Sequence, residues 1–198
     1  NQIDFSKVNR LLELGCGNGK LWQENRIELR NREIFLSDIS EGMVEEVRNK
    51  LGSDFNCIVA DAEKIPFKDE YFDSVIANHV LFYLNDLNLG LKEISRVLKP
   101  NGILYCSTYG KNHMKEITEI VQNFDSRINL SNHSLYDIFG LENGESILCN
   151  YFSNVEKYNY QDSLEITESK PLIDYIMSCH GNQNEILGPR LNEFKEYI

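Results

Sequence analysis

The residues whose types and spacing most clearly suggest chemistry are three glycines, Gly15, Gly17 and Gly19, in the pattern G-x-G-x-G. They follow an apolar run over residues 8–12 and precede a helical pattern that begins near Lys20. Because glycine tolerates positive φ and has no side chain, such a turn lets backbone amides approach a ligand closely. The third glycine comes one residue too early for the dinucleotide-binding pattern G-x-G-x-x-G.

Acidic residues stand beside this loop and at the ends of two further predicted strands. Glu13 opens the loop, and Asp38 ends the second predicted strand, 19 positions after Gly19. A carboxylate there can accept hydrogen bonds from both hydroxyls of a ribose, although a helix-capping or turn aspartate explains the same residue. Asp61 ends the third predicted strand, where it can accept the exocyclic amine of adenine, and Ala62 leaves backbone accessible beside it; a solvated loop acid is the alternative.

The elements that must position these residues alternate between short apolar runs and helical patterns. Nearly continuous apolar runs are typical of strands covered on both faces by helices. Five runs have this character: Val8–Leu14, Ile34–Leu36, Cys57–Ala60, Ser74–Ala77 and Ile103–Tyr109. Strands that alternate with helices predict right-handed crossovers and a doubly wound, mainly parallel sheet.

Caps and breakers set the predicted limits of the helices. Ser40 and Asp86 are predicted to cap helices, Gly52 to end the first of these, and residues 99–102 to form a turn. A third helical pattern covers residues 114–124.

Beyond residue 126 the pattern is less regular. Residues 127–152 predict an ordered loop or a short helical insertion, and the alternation over 158–166 predicts a half-buried strand. Two further helical patterns follow, around Leu172–Met177 and Glu185–Tyr197.

Five stretches, in this order, resemble the small-molecule-type branch of class I S-adenosylmethionine-dependent methyltransferases. They are LLELGCGNG, LSDIS, VADAEKIPF, FDSVIANHVLFYL and LKEISRVLKPNGILYCSTYG. The resemblance implies an α/β, Rossmann-like, doubly wound sheet of seven mainly parallel strands with one antiparallel member. Because the chain stops at Ile198 on a helical pattern, the last strand is expected to be missing from it, and the usual N-terminal segment to be missing or short.

The same resemblance implies one methyltransferase domain over residues 1–198, with a cofactor-binding half (1–110) and an acceptor-side half (111–198). The cofactor is S-adenosyl-L-methionine. The loop would hold its methionyl part, Asp38 its ribose and Asp61 its adenine. The implied cofactor-binding residues are Glu13, Gly15, Cys16, Gly17, Asn18, Gly19, Asp38, Ile39, Met43, Asp61, Ala62 and Asn78. Met43 fits equally as ordinary core.

Methyl transfer is an in-line displacement that depends mainly on alignment and exclusion of water. A base is needed only if the acceptor must lose a proton early. His79, just past the fourth strand, is the best-placed candidate, either as a base or as a positioning group; a structural histidine explains it about as well. Tyr109, His113 and His133 are weaker candidates.

The chemical class of the acceptor is inferred only by excluding enzymes whose motifs are absent from the sequence. No Asn-Pro-Pro-Tyr, Asp-Pro-Pro-Tyr or Pro-Cys sequence is present, which disfavours several nucleic-acid methylating enzymes and leaves a small molecule. The segment 127–152 is a candidate lid. Its apolar residues, Phe139, Leu141, Tyr151 and Phe152, form either an acceptor wall or packing against the sheet.

Composition fits these expectations. A net charge of −11 disfavours a large nucleic-acid surface, and no apolar run is long enough to span a bilayer. The five cysteines are dispersed, and three of them lie in apolar runs or the glycine loop, which suggests small buried thiols in a reducing cytoplasm and no zinc or other metal site. The oligomeric state is not indicated.

Two other functions compete with methyl transfer: non-catalytic binding of S-adenosylmethionine or S-adenosylhomocysteine, and NAD-dependent dehydrogenation.

Overall fold

The computed structural model describes residues 7–24, 32–131 and 134–198, so His133 lies outside the described residues. Five strands form one sheet in the order β3-β2-β1-β4-β5, and every pair is parallel. The strands are β1 (Arg10–Leu14), β2 (Glu33–Asp38), β3 (Asn56–Val59), β4 (Phe72–Asn78) and β5 (Leu98–Ser107).

The strand order reverses beside β1. Leu12 of β1 pairs with Phe35 of β2 on one side and with Val75 of β4 on the other. In an open parallel sheet, ligands bind beyond the carboxyl ends of the strands at this reversal. The predicted doubly wound α/β fold is therefore confirmed; the described residues hold five of its seven expected strands, and the antiparallel strand is not among them.

Helices connect the strands and continue to the end of the chain. They are α1 (Lys20–Glu24), α2 (Glu41–Leu51), α3 (Leu87–Val97), α4 (Lys115–Phe124), α5 (Leu135–Ile138), α6 (Gly144–Leu148), α7 (Ser169–Ser178), α8 (Gln183–Leu187) and α9 (Leu191–Tyr197), with 3-10 turns at Gly52–Asp54, Leu81–Tyr83 and Gly188–Arg190. Both predicted caps are confirmed, because Ser40 Oγ accepts from the Met43 amide and Asp86 Oδ1 from the Leu89 amide. Gly52, at φ 73°, ends α2 as expected.

The sheet is buried on both faces, since neighbouring residues of β1 enter different hydrophobic clusters. The first cluster joins β1, β4 and α3 through Leu12, Leu14, Val75, Leu91 and Ile94. The second cluster lies on the other face and joins β1, α1, α2 and β2 through Leu11, Trp22, Val47, Leu51 and Leu36. The two clusters fix the carboxyl ends of the strands, where the candidate site lies.

A third cluster is built by the C-terminal helices on α4. Its buried members are Ile117, Val121, Ile128, Leu172, Ile173, Ile176, Leu187 and Phe194. Arg190 joins α9 to α4, because its Nη1 donates to Asp125 Oδ2 at 2.9 Å and its guanidinium lies 4.4 Å from the Phe124 ring centre. This part of the chain therefore has a hydrophobic core of its own.

Three predictions of local structure need correction. The half-buried strand over 158–166 is wrong: no strand forms there, and Tyr160 is 89% exposed, because no strand of the described sheet pairs with this segment. The turn at 99–102 lies within β5 as an irregularity, with Asn101 at φ 64°. The helical pattern over 185–197 is divided by a 3-10 turn at Gly188–Arg190, where Pro189 interrupts the α-helical bonding.

Within the described ranges, no helix has both the length and the apolar character needed to cross a bilayer.

Candidate functional site

The glycine loop lies at the carboxyl end of β1, where the strand order reverses. Gly15, Gly17 and Gly19 all have left-handed backbones, with φ values of 67°, 51° and 71°. The loop is held against β2, because the Cys16 amide donates to the Ser37 carbonyl at 2.9 Å. The sequence pattern therefore places three positions that favour glycine at the expected ligand-binding edge.

The glycines meet different surroundings. A Cβ added at Gly15 would lie 2.3 Å from Val80 Cγ2, so this glycine allows the loop to pack against the residues that follow β4. A Cβ added at Gly17 would meet no atom of the described residues within 4 Å, its chain neighbours aside. Gly15 thus serves internal packing, whereas Gly17 presents bare backbone outward. Only the second arrangement suits close approach of a ligand.

Asp38 joins the loop to the end of β2. Its Oδ2 accepts from the Gly17 amide at 3.1 Å, and its Oδ1 accepts from the Ser40 amide at 2.9 Å. The helix cap is Ser40, so the capping interpretation of Asp38 is not the one that the structure shows. A carboxylate has about four acceptor sites, so two bonds leave capacity for ribose hydroxyls.

Two apolar side chains beside Asp38 face outward. Ile39 is 71% exposed and Met43, one turn into α2, is 40% exposed. The buried stripe of α2 consists instead of Val44, Val47 and Leu51. Met43 is therefore not ordinary core, and both residues are available to cover a flat apolar group.

Glu13 is buried below the loop and not at its surface. The residue is 3% exposed, and Oε2 accepts from the Trp22 indole Nε1 at 2.5 Å. Burial raises the pKa of Glu13 to about 7, with a smaller increase from Asp38, while the Trp22 bond lowers it. Glu13 therefore ties β1 to α1 and orients the loop from beneath; Trp22 is a partner that the motif did not reveal.

Cys16 and Asn18 complete the loop. Burial, followed by the charges of Glu13 and Asp38, raises the pKa of the Cys16 thiol to about 12, so the thiol stays protonated at neutral pH. Asn18 Oδ1 accepts from the Lys20 amide at 3.2 Å, at the first residue of α1. The Asn18 carbonyl accepts from Lys50 Nζ at 3.3 Å. These bonds fix the path of the loop between β1 and α2.

Asp61 and Ala62 lie beyond β3, next to Asp38 in the sheet order. The Ala60 amide donates to the Asp38 carbonyl at 3.1 Å, which joins the two strand ends. Asp61 is exposed, and its Oδ1 accepts from the Glu63 amide at 2.8 Å, whereas Ala62 is buried in the first cluster. The acid thus faces solvent on the same edge as the loop.

Asn78 and His79 follow on β4. Asn78 ends the strand, and its Oδ1 accepts from Ser107 Oγ at 3.2 Å. His79 has a left-handed backbone at φ 54°, while its amide donates to the Ser107 carbonyl at 3.1 Å. A non-glycine residue at positive φ costs about 1–2 kcal/mol. Strain of this kind directly after a central strand is typical of functional positions.

The His79 ring belongs to an aromatic group that the motifs only partly revealed. The other rings are Phe82 and Tyr83 from the 3-10 turn after β4, and Tyr109 and His113 after β5. Partial burial and, to a smaller extent, His113 lower the pKa of His79, which favours its neutral form. The sequence HVLFY already places Phe82 and Tyr83 three and four residues after His79.

The candidate lid is anchored on the first cluster. Phe139 is buried there, and Leu148, Tyr151 and Phe152 pack against it. The Phe139 carbonyl accepts from Thr108 Oγ1 at 2.6 Å. These contacts support packing against the sheet for the aromatic residues of this segment, and they bring the segment up to the residues that follow β5.

Two shallow clefts lie at the opposite end of the strands. One is lined by Asn9, Arg10, Glu33 and Lys99, and the other includes Asp73 and Lys99. Four of their charged groups form ion pairs: Arg10 contacts Glu33 at 2.6 Å, and Lys99 contacts Asp73 at 2.6 Å. Because they lie at the amino-terminal edge of the sheet, they are not the expected ligand site.

Comparison with known proteins gives a consistent result. A family model described as a methyltransferase domain matches residues 12–106. The malonyl-[acyl-carrier protein] O-methyltransferase of Legionella pneumophila is 34% identical over 120 residues, which cover 59% of this chain and 42% of that protein. The ubiquinone/menaquinone biosynthesis C-methyltransferase of Pectobacterium atrosepticum is 32% identical over 125 residues, which cover 60% of this chain and 50% of that protein. The chain thus spans about half the length of these curated relatives.

A solved structure shares the fold. The SAM-dependent methyltransferase from Methanosarcina mazei superposes with a TM-score of 0.50 at 23% identity, covering 59% of this chain and 60% of that chain. The family match includes the glycine loop and all four strand ends described above. The family match and the parallel sheet together show that residues 12–106, just under half of the chain, belong to the class I S-adenosylmethionine-dependent methyltransferases.

Proposed function

We propose that this protein transfers a methyl group from S-adenosyl-L-methionine to a small-molecule acceptor. The observation that carries the proposal is the pairing of an outward-facing Gly17 with Asp38, whose carboxylate accepts from the Gly17 amide at 3.1 Å. The cofactor bears a sulfonium and an ammonium against one carboxylate. Acids at positions 38 and 61 attract such a molecule and repel the pyrophosphate of a dinucleotide.

The residues of the site have chemical properties that suit each part of this cofactor. Gly15, Cys16, Gly17, Asn18 and Gly19 would border its methionyl part, with Asn78 beside them and Glu13 orienting the loop from below. Asp38 would hold the ribose. Ile39, Met43, Asp61 and Ala62 would surround the adenine. When bound, the cofactor supplies a methyl carbon on sulfur: the acceptor forms a bond to that carbon while the carbon–sulfur bond breaks and its electron pair stays on sulfur.

His79 is our candidate for the proton-handling group. Its ring lies past the carboxyl end of β4, and its lowered pKa keeps an imidazole nitrogen able to accept a proton near neutral pH. Where the acceptor needs no deprotonation, the same ring serves to position it.

We assign residues 111–198 to the acceptor side of the domain. We place the protein in the cytoplasm, in keeping with its five free thiols.

The test begins with binding. Calorimetry of the full chain should show binding of S-adenosylmethionine and of S-adenosylhomocysteine, and none of NADH. Incubation with candidate acceptors should then release S-adenosylhomocysteine, measured by mass spectrometry. Binding without release across a cell-extract acceptor mixture would favour a non-catalytic binding protein. Tight NADH binding without sulfonium binding would favour a dehydrogenase.

Replacement of Asp38 by alanine should weaken S-adenosylmethionine binding by about 1–3 kcal/mol, the scale of losing charged hydrogen bonds. The change removes both the proposed ribose contact and the bond to the Gly17 amide. Asp38→Asn keeps an oxygen acceptor for that amide, so its loss should be smaller. Asp54→Ala, at an exposed acid after α2, is the matched control and should bind normally. Unchanged affinity in Asp38→Ala would remove this residue from the site.

A further inference from the structure

Three rings at the carboxyl ends of β4 and β5 form a three-sided group. The rings of His79 and Tyr109 are nearly parallel, with an interplanar angle of 25° and centres 6.3 Å apart. Phe82 stands across both, at 62° to His79 and 67° to Tyr109, with ring centres at 6.1 and 5.2 Å. Phe82 is buried in the first cluster and so forms a fixed base between two walls.

The separation of the walls has a physical meaning. Carbon atoms in contact are about 3.5–4 Å apart, so a flat ring between two parallel rings needs about 7 Å between the outer planes. The 6.3 Å between ring centres is an upper limit on the spacing of the two planes, so the rings as they stand are closer together than this 7 Å. A planar ring therefore enters only when the exposed His79 side chain turns away from Tyr109.

The position of the group relative to the glycine loop is also fixed. Val80, the residue after His79, lies against Gly15, since a Cβ added to that glycine would be 2.3 Å from Val80 Cγ2. Tyr109 follows β5, the strand that pairs with β4 through Asn78 and Ser107. The aromatic group therefore adjoins the part of the loop assigned to the methionyl end of the cofactor.

The surroundings of the group contain rings, hydroxyls and one carboxylate: a Cβ added at Gly110, the residue after Tyr109, would lie 2.7 Å from Glu142 Oε1. Burial, Tyr83 and Tyr136 raise the pKa of Tyr109, and burial, Cys179 and Tyr109 raise that of Tyr175. Tyrosine hydroxyls and imidazole nitrogens supply hydrogen-bonding groups at the rim.

From this geometry we infer that His79, Phe82 and Tyr109 form the acceptor subsite, and that it takes a planar, uncharged aromatic ring bearing a hydroxyl group. The inference rests on the proposed function for its place beside the cofactor. The ring stacks between His79 and Tyr109, with its edge on Phe82. Its hydroxyl faces the imidazole and the phenols at the rim. The Glu142 carboxylate beside Gly110 disfavours an anionic acceptor.

The test uses 2-naphthol, a planar two-ring phenol with its own fluorescence, titrated into the full chain with saturating S-adenosylhomocysteine. Tyr109→Leu should weaken naphthol binding roughly three- to tenfold, the scale of a lost ring contact. Tyr109→Phe, which retains the ring, should bind within about twofold of the parent. The control Tyr160→Leu, at a side chain that is 89% exposed, should change nothing. Saturated decahydro-2-naphthol should bind more weakly than 2-naphthol.

The outcomes separate this inference from the proposed function. Equal affinity for the flat and saturated alcohols, or normal binding by a folded Tyr109→Leu variant, would overturn the aromatic subsite. Tighter binding of naphthalene-2-carboxylate would overturn the uncharged class. Calorimetry of S-adenosylmethionine is run on the same variants. Naphthol binding without cofactor binding would refute the proposed function alone, whereas cofactor binding without naphthol binding would refute only the inference.

Discussion

A Gly17→Val variant should lose S-adenosylmethionine binding by more than roughly 100-fold, equivalent to about 3 kcal/mol. Gly17 has a backbone at φ 51°, and a Cβ added there would meet nothing among the described residues, so the new side chain projects into the space assigned to the ligand. Its amide also donates to Asp38, and a change of backbone geometry would disturb that bond. Calorimetry gives the affinity, and chemical unfolding gives the accompanying loss of stability.

A matched control makes this result interpretable. Gly52 also has a left-handed backbone, at φ 73°, and a Cβ added there also meets no atom within 4 Å among the described residues. Gly52→Val therefore also carries backbone strain, at φ 73° and ψ −154°, at the end of α2 and outside the glycine loop. We expect it to lower stability and to retain binding. If Gly17→Val binds normally while folded, close approach at Gly17 is not part of cofactor recognition.

The sheet could be predicted from sequence because its signals are local and agree with one another. Each strand is a short apolar run, and Ser40, Gly52 and Asp86 mark helix limits through bonds between near neighbours. Alternating strands and helices together with right-handed crossovers predict a doubly wound, mainly parallel sheet, whereas the strand order itself comes from the structure. The glycine loop was found for the same reason, since three left-handed positions in five residues require glycine.

The failures have a common cause, which is dependence on distant partners. Alternation over 158–166 predicts a buried face only if another strand lies alongside, and none in the described sheet does. The sequence left open whether Glu13 orients the loop or the ammonium of the cofactor, because its partner Trp22 comes from a helix with no marked acidic or basic turn. Burial, which decides the state of this carboxyl group, is a property of the packed second cluster and is absent from the motif.

The aromatic group illustrates the same limit at the site. His79 and Tyr109 are 30 positions apart in the chain, and only the pairing of β4 with β5 brings their rings together. Sequence alone ranked His79 first because it follows a predicted strand, and it gave no direction for Tyr109 or His113. The structure supplies the missing direction, since Tyr109 lies 4.9 Å from His113 and 5.2 Å from Phe82 between ring centres.

Glu13→Gln should make the protein more stable above neutral pH, by up to about 3 kcal/mol, and equally stable near pH 4. The folded state holds the pKa of Glu13 at about 7, above the ordinary value of 4.5, because burial disfavours the charged form. Between pH 4.5 and about pH 7 the folded protein binds more protons than the unfolded chain, so the stability of the parent falls as pH rises through this window. Below 4.5 both states are protonated, and the penalty disappears.

Unfolding by urea at a series of pH values measures this effect as the difference in free energy between variant and parent. The difference should grow from near zero at pH 4 to a plateau above pH 7, because glutamine has no proton to lose and its oxygen can still accept from Trp22. The hydrogen bond from the Trp22 indole lowers the pKa of Glu13, so its removal in Trp22→Phe should raise that pKa. In this variant the window should therefore extend to higher pH. Glu45→Gln, at an exposed position on α2, is the matched control. Its curve of unfolding free energy against pH should run parallel to that of the parent. Parallel curves for Glu13→Gln as well would mean that the buried carboxyl group ionises without cost, and the loop would then rest on a charged Glu13 at every pH tested.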